Sequence, residues 1–348
     1  MNNLKNTIIR ILCVFVVPCV ILIVFGCQFG QMEKNSWLEK HTYQEGFAAV
    51  KDNNSKWGFV NEQDSLVIPC QWEKVQSFKE GYAVVKNEDG KFGFIDKTGT
   101  VVIPCKWRNC WDFNEGFASV EDESGKWGYI DTKGNIVIRN QWIRAYPFSE
   151  GMASVIDDND RIGFVNNRGS LIIPCKWKNV SSFKEGLAMV QNDDNKQGFI
   201  DKTGKMVIPC KWDLVESFSE GLASVVGENG YWGYIDTKGK LVIPYNWIIC
   251  GSFSEGLAVV KDNKNRWGFI DKTGKVVIQY KWKHAMAFSD GLAGVLDFNN
   301  NYGYIDKEGN VKIPCQWNSI SSFINGMAEV KNRRGEVFII DKTGNILK

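Results

Sequence analysis

Histidine and net charge are what this chain lacks. Its 348 residues include only 2 His, and 42 Lys and Arg stand against 40 Asp and Glu. His41 and His284 fall at unrelated places, which argues against a shared histidine base. The 10 Cys include no Cys-x-x-Cys pair and no His-bearing ligand cluster, so no metal or cofactor is expected. The surplus of +2 comes wholly from Lys5 and Arg10, because residues 1–26 hold no acid. The neutral remainder exerts no general pull on polyphosphate, which argues against nucleic acid as a partner. Proline is scarce too, at 8 residues, yet 44% of the chain is hydrophobic and 24% charged, enough for a sizeable core and too apolar for disorder.

Long apolar runs are missing with one exception, Ile11 to Phe25, which follows Lys5 and Arg10 and precedes Gly26-Cys27. That run falls short of the roughly 20 residues a membrane span needs. Basic start, short apolar middle and small residue are the parts of an export signal over residues 1–26. Val24-Phe25-Gly26-Cys27 resembles a bacterial lipobox, which implies diacylation of Cys27. An uncleaved anchor over residues 8–26 is the alternative. Either leaves residues 27–36 as a tether and the rest exported and membrane-anchored, in a bacterial cell envelope under the lipobox reading.

What is present is repetition. Trp recurs at 37, 72, 107, 142, 177, 212, 247, 282 and 317, a constant step of 35 residues without one insertion. An acid-Gly pair follows in step from Glu45-Gly46 to Asp290-Gly291, ending as Asn325-Gly326. An aromatic-Gly column and a hairpin-Gly column bring the total to 25 of the 34 glycines, so glycine is punctuation here and not a phosphate-binding loop. In residues 212–246, the runs Leu222 to Val226, Tyr231 to Asp236 and Leu241 to Ile243 read as strands separated by turns. Asp236-Thr237-Lys238-Gly239 has the residues of a hairpin closed by a bulge. Trp212, Val215 and Phe218, spaced by three, suit a short 3₁₀ or helical connector, with a fourth strand the alternative.

Each unit therefore reads as a three-stranded antiparallel meander plus connector. In the strand holding Leu66 and Ile68, Val67 opposes them, so neither face reads as solvent and each meander is expected to be covered by its neighbours. Residues 37–348 are thus predicted to be all-β, nine units stacked as an open curved array, with a closed nine-bladed propeller as the alternative. The first and last units are irregular, as capping repeats are.

Lys56-Trp57-Gly58-Phe59, Lys126-Trp127-Gly128-Tyr129-Ile130-Asp131 and the recurrent Glu-Gly-Leu-Ala resemble the bacterial WG-containing (KWG) repeat family over about residues 37–348. The resemblance implies a repeat scaffold of envelope or secreted proteins and no established reaction or ligand. Ile162-Gly163 and Gln197-Gly198 depart from the motif.

Five Cys (70, 105, 175, 210 and 315) share a column with Asn140, Tyr245 and Tyr280, while Cys110 and Cys250 share one with Val, Ala and Ile, an exchange that argues for packing. Disulfides such as Cys70 with Cys105 would need adjacent units to bring them close. The carboxylates Glu45 to Glu255, beside a turn Gly, are expected to bond to local backbone. The connector Trp column reads as a peg between units. In the looser Trp-Gly column, Trp57, Trp127, Trp232 and Trp267 are the candidate ligand-binding residues, since the adjacent Gly leaves room for a flat partner, with packing as the competing reading. Columns that repeat one group do not gather the different groups an active site needs, so the chain reads as no enzyme. The expectation is a membrane-tethered scaffold for an envelope or extracellular protein; the alternative is a carbohydrate or cell-wall binding module using the Trp-Gly aromatics.

Overall fold

The computed structural model describes residues 37–347; the export segment, Cys27 and the tether lie outside the described residues. Within them every regular element is a β-strand, and the strands form nine small antiparallel sheets. The second sheet shows the plan: Lys74–Val75, Tyr82–Lys86, Phe92–Asp96 and Val101–Trp107 pair in chain order. Seven sheets have four strands, and the sixth and ninth have three.

The spacing by three does not mark a helix. After Trp72 the chain bends, pairs Lys74–Val75 with the second strand, and runs on extended to Phe78. Trp, Val and Phe share a side because this segment wraps over the preceding sheet, and the recurrent Trp is the last residue of a seven-residue fourth strand. The expectation that neither face meets solvent also fails at one place. Leu66 and Val67, at the start of the fourth strand, are 44% and 41% exposed, whereas Ile68 is buried.

The Gly of the Trp-Gly pair has a steric cause. Phe92 pairs with Trp107 and Phe94 with Ile103, so the fourth strand bulges over Gly93. A Cβ there would lie 2.5 Å from the Ile103 carbonyl oxygen and 2.8 Å from the Cys105 nitrogen. The space above Gly93 is therefore filled by the backbone of strand four. In the ninth sheet the fourth strand shrinks to one bridge, Ile340 with Ile346, and Phe338 occupies the Gly position.

Eight apolar clusters join the nine sheets in sequence. In the first, Ala49, Trp57, Phe59, Ile68 and Trp72 pack on Val75, Phe78, Ala83, Val85 and Ile95 of the next sheet. Every such interface has an aromatic pair, from Phe59 with Phe78 at 4.8 Å to Tyr304 with Phe323 at 4.7 Å. The connector Trp is thus the expected peg, although Nε1 of Trp72, Trp107, Trp142, Trp177, Trp282 and Trp317 is buried without a partner. Only where the next sheet carries Tyr245 or Tyr280 does a hydroxyl accept from the indole, of Trp212 at 3.4 Å and of Trp247 at 2.8 Å. Among the described residues no cluster joins the ninth sheet to the first, and Met327 and Val337, on the face that inner sheets bury, are 44% and 53% exposed. Open stack and nine-bladed ring share all eight contacts and differ only in that ninth one.

The Glu-Gly pairs bond to backbone, but not to their own. Glu80 accepts from the N–H groups of Glu115 and Gly116 in the next unit at 2.7 and 3.0 Å, and Glu115 does the same to Glu150 and Gly151. These residues sit in two-residue turns with positive φ at both positions, 53° and 80° at Glu115 and Gly116, where Asn-Gly is the intrinsically favoured pair. Glu has a longer side chain than Asn and reaches the next unit; in the ninth unit the residue is Asn325. A second row of ion pairs also crosses between units, Lys56 with Glu88 and Arg161 with Asp193, each at 2.7 Å, in exposed positions where such pairs contribute little.

Gly93→Ala should cost about 2–3 kcal/mol through the clash with strand four, and Gly116→Ala, which meets no neighbour, about 1 kcal/mol through φ alone; urea unfolding distinguishes them. A pH effect follows from the hairpin turns. The Thr98, Thr203, Thr273 and Thr343 hydroxyls, with turn amides, hold Asp96, Asp201, Asp271 and Asp341 below the usual carboxylate range, Asp341 at about 2. Burial acts the other way on Glu150, but the Gly186 amide and Lys202 outweigh it and lower that pKa too. Lowered folded-state values mean that the unfolded chain binds more protons, so this stability is present above the unfolded value and lost as pH falls through the folded one. The Tm should therefore drop between about pH 4 and about pH 2, as read by circular dichroism.

Candidate functional site

Two columns vary where the others repeat. One runs His41, Gln76, Trp111, Tyr146, Ser181, Glu216, Gly251, Met286, Ser321; the other Glu39, Lys74, Asn109, Arg144, Asn179, Leu214, Ile249, His284, Ser319. Both lie on or just after the short first strand of a sheet or, in the sixth, beside the single Val215–Val225 bridge that takes its place. The backbone there is constant: the amide of each member of the first column donates to the residue eight places on, as Tyr146 to the Ser154 carbonyl at 3.0 Å. Fixed backbone with varied side chains presents chemistry without disturbing the fold. The Trp-Gly aromatics border the same seam, with Trp267 against His284 at 5.2 Å and Trp57 against His41 at 4.8 Å.

At the fourth sheet the seam opens into a cleft of about 540 Å³, lined by Asn114 of the third sheet, residues 146–149, 154 and 162 of the fourth, and Asn179, Val180 and Ser182 of the fifth. Ile162 stands where other units carry Trp, Phe or Tyr. The shorter Ile162 side chain borders Asn179, which stands in the column of His284, the residue that Trp267 meets. The neighbouring departure opens nothing, because Gln197 is buried and its Oε1 accepts from the Val215 amide at 2.8 Å. No lining residue is charged. Ser149 donates to the Phe183 carbonyl at 2.8 Å, whereas the Asn114 amide, the Tyr146, Ser154 and Ser182 hydroxyls and Nδ2 of Asn179 bond to no other described residue.

The four candidate Trp residues differ in burial. Trp127 is 4% exposed and Trp57 is also buried; Trp232 and Trp267 are half-buried. Each pairs across strands with the connector Trp of its own sheet, as Trp127 with Trp142, and among the described residues no ring contact joins one member of the column to the next. The seven described Cys are free thiols, so the contemplated pairs are unbridged. Burial pushes the Cys250 thiol up to about 12 and the Cys175 thiol up to about 11, keeping both protonated near neutrality. Burial and Lys261 lower the pKa of His284. Among the described residues no three of His, Cys, Asp and Glu gather as a metal would require. The cleft was missed because attention to repeated columns passes over the variable ones; its signal was the break at Ile162 beside the most varied column.

Nine sheets, identical interfaces and a variable seam define a tandem-repeat β scaffold. The chain belongs to the WG containing repeat family, whose sequence model matches at residues 57–92, 92–127, 127–159, 162–196, 198–231, 232–265, 267–301 and 302–334. No curated protein matches. Among solved structures the chain is similar to the computationally designed Ika8 protein (12% identity, 76% of this chain and 94% of that one, TM-score 0.43). It is similar also to BamB from Moraxella catarrhalis (10% identity, 76% and 95%, TM-score 0.40). At that level of superposition neither bears on what the chain binds.

Trp127→Ala should behave as a core truncation and cost about 3–5 kcal/mol in urea unfolding. A cost under about 1 kcal/mol would return this residue to the ligand-binding candidates.

Proposed function

We propose that the chain is a non-enzymatic, membrane-tethered scaffold that binds an extended envelope or extracellular protein along the edge formed by its fourth strands. Supporting this is the exposed apolar residue or pair that opens each of these strands, from Leu66-Val67 and Leu171-Ile172 to Leu241-Val242. Repeated exposed apolar surface marks interaction sites. The eight seven-residue strands from Leu66–Trp72 to Val311–Trp317 also carry six cations (Lys106, Arg139, Lys176, Lys211, Lys281 and Lys312) and no acid, on a chain whose net charge is only +2. Such a surface suits a partner with acidic and apolar groups on one long face. Exposed prolines at 69, 104, 174, 209, 244 and 314 keep these edges from pairing with one another as sheets. The tether rests on Cys27 or on the uncleaved apolar run, either of which holds the array at the membrane where such a partner is met.

Photo-crosslinking residues placed at 102, 172 and 242 should capture one and the same protein in intact cells, while those at loop positions 89, 159 and 229 should not. Ile172→Asp with Val242→Asp should abolish capture and leave the Tm within about 2 °C. Equal capture from loop positions would refute the reading.

A further inference from the structure

We infer that the cleft at Ile162 is a single binding site for a neutral saccharide of two or three rings, independent of the protein-binding edge. A repeat array offers the same surface many times, and here one place differs in kind. Ile162 replaces the column's aromatic there, and beside it stand Ser154, a residue type shared with Ser119 and Ser224 but here open to the cleft, and Tyr146 and Asn179 of the two variable columns. Together they leave about 540 Å³, within the range of small-ligand sites.

The lining chooses the class of ligand. No charged group faces the cleft, so nothing there compensates a phosphate, a carboxylate or an ammonium group. Two side-chain amides and the hydroxyls of Tyr146, Ser154 and Ser182 provide donors and acceptors in mixed order, beside the Tyr146 ring and the apolar surface of Pro147 and Val180. That combination matches a pyranose, whose rim of hydroxyls both donates and accepts and whose C–H face packs on apolar and aromatic surface. Ser154 is the most telling. Its residue is 7% exposed, its Oγ has no partner among the described residues, and it opens on the cleft, whereas Ser119 and Ser224 of the same column are sealed within the array.

The test is calorimetric titration of the detergent-solubilised full chain with cellotriose, maltotriose and chitotriose, together with three variants. At least one trisaccharide should bind with one site per chain. Ile162→Trp, which restores the residue other units carry, should abolish binding. Tyr146→Phe with Ser154→Ala should weaken it about tenfold without lowering the Tm, since two hydrogen bonds to the ligand are lost and no bond within the protein is. If Ile162→Trp loses cooperative unfolding, the double variant decides. Silence toward all three sugars, unchanged affinity in a folded Ile162→Trp, several sites per chain, or binding only of an uncharged Ser/Asn-rich peptide would each overturn the inference. None of these outcomes touches the crosslinking from the fourth strands.

Discussion

No sheet in this protein completes its own core. Each has four short strands at most, and the face carrying Ala49, Phe59 and Ile68 is closed only when Val75, Phe78 and Ala83 of the next sheet come down on it. A lone sheet of this size is marginal in water, so stability resides in the interfaces, and the array behaves as a one-dimensional stack whose units hold one another folded.

The turns show the same dependence in their backbone. Two consecutive residues with positive φ would by themselves favour Asn-Gly, yet seven units accept the less suitable Glu-Gly because the carboxylate ties the next turn's amides. The ninth unit carries Asn325 at this place, the residue that local preference favours. The Gly of the Trp-Gly pair obeys a related rule: it is required wherever strand four crosses it and gives way to Phe338 once that strand is cut short. Both columns are conserved along the chain for reasons of packing, which is why they say little about binding.

Function then belongs to what the repeat leaves free. The first-strand columns change residue at nearly every unit while their backbone bonds stay the same, and the fourth strands keep an exposed apolar start that packing does not demand. The largest departure, Ile162 with Gln197 one unit on, shows that losing the aromatic is resolved in two ways. A long amide can fill the gap and bond to Val215, or the gap can stay open.

The chain's own order of residues determined the all-β class, the nine units, the Trp peg and the irregular end units, because period, turn chemistry and composition are local properties that each unit states nine times. It also determined the scarcity of histidine and the lack of a Cys-x-x-Cys pair. Three things were decided only by tertiary structure. Trp212, Val215 and Phe218 are spaced like a helix, but wrap a neighbouring sheet as extended chain, because burial against that sheet outweighs periodicity. The destination of the Glu carboxylates is another unit 35 residues away, which no local rule reports. The cleft lies between residues of three sheets, from Asn114 to Ser182, and exists because a smaller side chain at one position was not compensated by its neighbours, a matter of volumes that meet only when the sheets are stacked.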